Sequence, residues 1–250
     1  MLRGLVVRVW TLSFVGLALA ACAPQDASDE DPTVSRAPEA PTPGATDAVS
    51  AGEAVVTAEG PRVVFLGTSL TAGLGLRFPD ERWPERLGAL ADSAGLAFDV
   101  VNAGRSGDTS AGGLSRLDWI LREPVDLLVV ELGANVGLRG LSTDALGENL
   151  REIIDRTRSA WPQSRILLVG MEAPTNLGPE YTARFREVFV EVASEREVDL
   201  VPFLLDGVAG VPELNQPDRI HPTAEGHDRM ARTAWPHLEP LLRAIGEGAA

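Results

Sequence analysis

Arg62-Val63-Val64-Phe65-Leu66, followed at once by Gly67-Thr68-Ser69-Leu70, is the stretch on which the fold turns. The first five residues are rich in β-branched and aromatic side chains, which suits a short strand. Runs of the same kind recur at residues 98–102, 125–132, 165–170 and 199–203, with helix-period segments between them. That alternation predicts an α/β domain on a parallel sheet. Trp83, Leu87, Leu90, Ala91 and Ala94 share one helical face and stop at Gly95, a C-terminal cap. Leu146, Leu150, Ile153, Ile154, Thr157 and Trp161 repeat the pattern up to Pro162. Phe185, Val188, Phe189 and Val192 form a third stripe, and Thr223 is placed to cap a last helix carrying Met230, Ala231 and Ala234.

Upstream of this pattern the chain changes character twice. Arg3 and Arg8 precede an apolar run from Val9 to Ala21, too short to span a bilayer comfortably, which reads as a secretory leader over residues 1–21. It ends Leu19-Ala20-Ala21-Cys22, similar to a bacterial lipobox, and Cys22 is the only cysteine of the chain. Residues 22–60 are expected to be an acylated Cys22 and an acidic, Ala- and Pro-rich tether, leaving 61–250 as the folded domain. The expected location is the bacterial cell envelope, lipid-anchored; Ala23 after the cysteine favours the outer membrane.

Composition narrows the chemistry. Of 250 residues, 44% are hydrophobic and 23% charged, enough for one globular domain plus extra segments. The formal charge is -14, which argues against nucleic-acid partners. All 22 basic residues are arginine, so a Walker A lysine and Schiff-base chemistry are excluded. One cysteine and three histidines make neither an intrachain disulfide nor an ordinary zinc site, so no metal is expected.

In an open parallel sheet, functional groups gather past the carboxyl ends of the strands. The loops there are Gly67-Thr68-Ser69-Leu70, Asn102-Ala103-Gly104-Arg105-Ser106-Gly107, Gly133-Ala134-Asn135-Val136-Gly137 and Asp218-Arg219-Ile220-His221-Pro222. A serine needs a neighbouring base, and the base needs a partner to fix its tautomer. His221 has Asp218 three residues before it, whereas His227 and His237 have Ala224 and Ala234. Ser69, His221 and Asp218 are therefore the candidate catalytic residues. Oxyanion donors are expected from the Ser69 and Gly104 N–H groups and the Asn135 amide. Gly67-Thr68-Ser69-Leu70-Thr71 lacks the second glycine of a Gly-x-Ser-x-Gly elbow, and Gly73-Leu74-Gly75 lacks the third glycine of a dinucleotide fingerprint. Asp108 and Asp126 make a poor glycosidase pair, one in a turn and one opening a strand.

These blocks, with Glu131-Leu132-Gly133-Ala134-Asn135, Gly137-Leu138-Arg139-Gly140 and the closing Ala224-Glu225-Gly226-His227, resemble the SGNH or GDSL hydrolase family. The likeness covers residues 62 to about 235 and extends to Met171, Pro174, Asn176, Gly178 and Tyr181, a stretch typical of the branch of thioesterases, arylesterases and lysophospholipases. It implies a flavodoxin-like three-layer α/β/α sandwich with a central five-stranded parallel sheet. It also implies a serine esterase with no cofactor, acting on small acyl esters, aryl esters or lysolipids, with thioesters as a further class. A carbohydrate O-deacetylase on the same machinery and a catalytically silent envelope-binding lipoprotein are the alternatives. Two positions depart from the family: Thr68 and Val136 stand where it usually has Asp, and the two losses are expected to be coupled.

Overall fold

The computed structural model describes residues 60–248. The leader, Cys22 and the acidic stretch as far as residue 59 lie outside the described residues. Five strands, β1 (Arg62–Gly67), β2 (Asp99–Gly104), β3 (Leu127–Glu131), β4 (Arg165–Val169) and β5 (Asp199–Val201), form one sheet in the order β2-β1-β3-β4-β5. Every pairing is parallel. This is the order of a flavodoxin-like doubly wound sheet, and the switch point lies between β1 and β3. All five residues of β3 are buried, which requires cover on both faces and explains its unbroken run of Leu and Val.

The helices are α1 (Ser69–Ala72), α2 (Trp83–Ser93), α3 (Ser110–Ser115), α4 (Leu117–Ile120), α5 (Ala134–Leu138), α6 (Thr143–Ala160), α7 (Pro179–Arg196) and α8 (Ala224–Gly248). One layer pairs α2 with α8, and the other packs α6 against α7 and α3. Leu146, Leu150, Ile153, Ile154 and Thr157 of α6 are all buried, as their spacing demands. Ser142 starts that helix by accepting the Ala145 N–H at 3.2 Å. In the core, Trp83 meets Phe65 edge-on with ring centres 5.2 Å apart, a geometry worth about 0.5–1.5 kcal/mol beyond its area.

Strand ends differ from the sequence reading where backbone chemistry intervenes. β5 stops at Val201 rather than 203 because Pro202 has no N–H to give a ladder. β2 runs on to Gly104, in register with Gly67, and so carries the next loop up beside Ser69. The last helix begins where Thr223 predicts, its hydroxyl accepting the Gly226 N–H at 3.3 Å. It then continues through Pro236 and Pro240, both inside the helix. An interior proline costs about 3 kcal/mol. Burial of Leu238, Leu241 and Leu242 offsets it.

Candidate active site

Ser69 is the first residue of α1, delivered by the end of β1. Thr68 before it is extended, and its hydroxyl caps the helix by accepting the Leu70 N–H at 3.3 Å. His221 Nε2 lies 3.0 Å from Ser69 Oγ, and His221 Nδ1 lies 2.7 Å from Asp218 Oδ2. Asp218 Oδ1 accepts the N–H groups of Ile220 at 2.9 Å and His221 at 3.0 Å, closing the tight turn expected of an Asp-x-x-His sequence. Arg219 inside that turn has φ 59, a left-handed conformation costing a non-glycine residue about 1–2 kcal/mol. The His221 imidazole beside Asp218, and then the N–H groups of His221 and Ile220, hold its carboxyl down at about 2. It is therefore anionic at neutral pH and fixes the ring so that Nε2 faces the serine.

The turn is tied to the serine loop by a residue the sequence reading did not single out. Gln216 Nε2 donates to Leu74 O at 2.8 Å and Pro222 O at 2.9 Å, bridging the chain after α1 to the chain after His221. Its own N–H donates to His221 O at 2.8 Å. No motif in the sequence marks Gln216, because its role depends on two loops 142 residues apart meeting.

Asn135 lies in the first turn of α5, and its Nδ2 donates to Asp108 O at 2.9 Å. One amide hydrogen is thus used for orientation and the second is left to point elsewhere. Gly104 does not fit the oxyanion role expected of it. The next N–H along, from Arg105, donates to Gly67 O at 2.9 Å, so the Gly104 N–H points to the opposite side of β2, the outer edge of the sheet. There it is taken by Asn102 Oδ1 at 3.0 Å. Gly104 is glycine for another reason: a Cβ would strike the backbone of Ala72 in α1.

The same loop offers a better donor in Gly107. Asp108 N–H donates to Arg105 O at 3.2 Å, and Gly107 has φ 85, which together make a type II turn with glycine where it must stand. The Gly107 N–H has no partner among the described residues. Arg116 pins this turn against the serine loop, its Nε 2.7 Å from Asp108 Oδ2 and its Nη2 3.1 Å from Gly67 O.

The two departures have separate surroundings. The Thr68 hydroxyl and N–H both point at the buried carboxyl of Glu131, and an Asp at 68 would put a second carboxyl against it. Val136 is 2% exposed and part of the hydrophobic core. No hydrogen bond links the two sites among the described residues, so the expected coupling has nothing polar to carry it. His227, set aside as a base on sequence, is indeed occupied otherwise: it is buried, and its Nδ1 accepts the Trp83 N–H at 3.2 Å. Burial pushes its pKa down to about 4.

A doubly wound parallel sheet with serine, histidine and aspartate converging at its carboxyl edge defines the class of ester hydrolases. The chain belongs to the GDSL-like lipase/acylhydrolase family, whose model matches residues 65–229. It is 40% identical over 181 residues to an esterase TesA of Pseudomonas aeruginosa, covering 72% of this chain and 89% of the relative. To a thioesterase 1/protease 1/lysophospholipase L1 of Escherichia coli K12 it is 34% identical, covering 72% and 84%. Among solved structures, one of TesA superposes with a TM-score of 0.68 at 40% identity, covering 72% of this chain and 99% of that one. A psychrotrophic esterase EstA from Pseudoalteromonas, described as inhibited by monoethylphosphonate, gives 0.68 at 28% identity, covering 73% and 98%.

Proposed function

We propose that this carboxylic-ester hydrolase works through an acyl-enzyme on Ser69, and that its substrates are oxygen esters with an apolar acyl or aryl part, lysolipids included. The observation that carries this reading is the continuous line from Ser69 Oγ to His221 Nε2 at 3.0 Å and from His221 Nδ1 to Asp218 at 2.7 Å. Ser69 Oγ attacks the ester carbonyl carbon while His221 takes its proton. The tetrahedral oxyanion is held by the Ser69 and Gly107 N–H groups and the Asn135 amide. Collapse breaks the bond to the alcohol oxygen, which receives the proton from His221. Water, deprotonated by His221, then releases the acid by the same route.

The apolar preference is supported by the rim. Leu74, Phe78, Leu138, Leu141 and Ile220 are exposed, and they lie within nine residues along the chain of Ser69, Asn135 or His221. Apolar side chains cost solvation when left in water and suit an acyl or aryl group better than a sugar. Rates on nitrophenyl esters of graded chain length test the reading. Ser69→Ala and His221→Ala are each expected to remove nearly all activity, and the double variant to be little worse than either. Full activity in Ser69→Ala would sink the mechanism.

The lipid anchor belongs to the same proposal. Cys22, alone of its kind and closing a lipobox-like Leu19-Ala20-Ala21-Cys22, carries acyl chains that hold the enzyme to the cell envelope through the acidic tether. Mass spectrometry of the membrane fraction is expected to find a mature chain starting at diacylated Cys22. An unmodified Cys22, or cleavage at another bond, removes the anchor.

A further inference from the structure

Among the described residues, the reaction leaves one buried ionisable side chain, Glu131, without a task. Glu131 closes β3, opposite Gly67 of β1, and is 1% exposed. Its Oε2 accepts three hydrogen bonds from the residues on either side of Ser69: the Thr68 N–H at 2.9 Å, the Thr68 hydroxyl at 3.0 Å and the Thr71 hydroxyl at 2.9 Å. Gly67 lies so close that a Cβ there would press on Thr71 Oγ1 and Glu131 Oε2. The carboxyl thus grips the entrance and the first turn of α1 with Ser69 between the two points of contact.

We infer that Glu131 is a positioning residue for ester hydrolysis, holding Ser69 in line with His221 through Thr68 and Thr71 only while its carboxyl is ionised. The inference rests on Ser69 being the nucleophile. A carboxylate is an acceptor only, and can take all three donors at once. Protonation falls on Oε1, whose one partner is the Thr68 hydroxyl at 3.1 Å, making it a donor that competes for that hydroxyl and weakening Oε2 as acceptor for the Thr68 N–H and the Thr71 hydroxyl. The Thr68 hydroxyl is further constrained because it already accepts from Leu70.

The carboxyl titrates where this matters. Burial, opposed by the bonds from Thr68 and Thr71, pushes it up to about 7. Few charges face it among the described residues. β1 and β4 carry only Arg62 and Arg165, at the opposite ends of those strands, and α1 carries none. In the adjoining loop and helix, Asp108 is paired with Arg116 and Glu85 with Arg82. His221, with Asp218, meets α1 at Ser69.

The experiment measures log kcat/KM against pH, from about 4 to 9, for the full chain in detergent on a nitrophenyl ester. Full activity needs Glu131 ionised as well as His221 free to accept a proton, and the neutral carboxyl leaves about a tenth of the rate, so the acid limb of the unaltered enzyme is expected to steepen beyond unit slope, to about 1.5. Glu131→Gln keeps the shape but cannot titrate: its acid limb is expected to have unit slope, with kcat at high pH lowered roughly tenfold and KM changed less than about twofold. Thr71→Val removes a donor to the carboxylate and is expected to move the steep part of the limb to higher pH. A unit slope in the unaltered enzyme, or a Glu131→Gln variant with unaltered kcat and slope, overturns the proposal. If Glu131→Gln does not fold, the slope of the unaltered enzyme and the shift in Thr71→Val decide alone. Ser69→Ala run beside them separates the two levels. An active Ser69→Ala removes the nucleophile itself, whereas an inactive one with a unit slope elsewhere removes only Glu131.

Discussion

Two glycines stand three residues apart, Gly104 at the end of β2 and Gly107 in the loop after it, and a methyl group added to each is expected to fail in a different way. Gly107 has φ 85 and packs against nothing closer than Arg139, so Gly107→Ala should fold at a cost of about 1 kcal/mol. Its N–H, however, would leave the oxyanion, and kcat should fall by roughly 10² with a smaller change in KM. Gly104→Ala instead drives a Cβ into the backbone of Ala72 and should lower stability by about 1–3 kcal/mol. Urea unfolding and ester kinetics on both variants check this. A rate loss in Gly104→Ala without any loss of stability would return the oxyanion role to Gly104. The sequence offered two glycines in one loop with nothing local to choose between them. What separates them is which way each N–H points, and that follows from the pairing of β2 with β1. Ser69, Asp218 and His221 were more legible, because a three-residue spacing and one neighbouring histidine among three select them without knowledge of any distant contact. Glu131 was not: a carboxylate after an apolar run reads as the end of a strand entering water, until α1 folds over it.

At the scale of elements, the strands were readable because each is a short continuous apolar run, and their limits moved by at most two residues, at β5 because a proline intervenes and at β2 because the pairing with β1 runs on. α8 was the least legible. Pro236 and Pro240 argue for an earlier stop, yet the helix carries on to Gly248. Helical continuation there is imposed by packing: Leu238, Leu241 and Leu242 are buried and follow the helical period of Met230, Ala231 and Ala234. Pro236 is exposed, so its replacement removes no core contact. Pro236→Ala restores a backbone N–H in the helix interior, less the chain entropy that proline removes from the unfolded state. A gain of about 1–2 kcal/mol in urea unfolding is expected, with ester hydrolysis unchanged. A loss of stability would show that the prolines set a bend that α8 needs to reach the sheet.

At the scale of the whole molecule, two buried groups among the described residues pull stability in opposite directions over the same range of pH. His227 titrates near 4 in the fold against an ordinary 6.5, so the unfolded chain takes up its proton first. Its contribution is complete above 6.5 and is lost as pH falls through 4, amounting to about 3 kcal/mol. Glu131 titrates near 7 against an ordinary 4.5, so its contribution is complete below 4.5 and is lost as pH rises through 7. The two nearly balance, and stability should vary little between those limits. His227→Gln, which keeps an acceptor for the Trp83 N–H, should become more stable on acidification from pH 7 to 4.5, while Glu131→Gln should become steeply less stable. Denaturant unfolding across that range checks both, and a His227→Gln curve parallel to the unaltered one would contradict the assignment. One feature of the site bears on when a newly made chain acquires its activity. Ser69 and His221 are 152 residues apart, and the turn carrying His221 is anchored by Thr223 at the start of α8. A chain still emerging from the ribosome can form β1, β2 and β3 with the serine in place, yet it holds no base. Hydrolysis therefore begins only after the segment carrying His221 and α8 has been made and has packed against the sheet, and turnover itself reports that this packing has occurred.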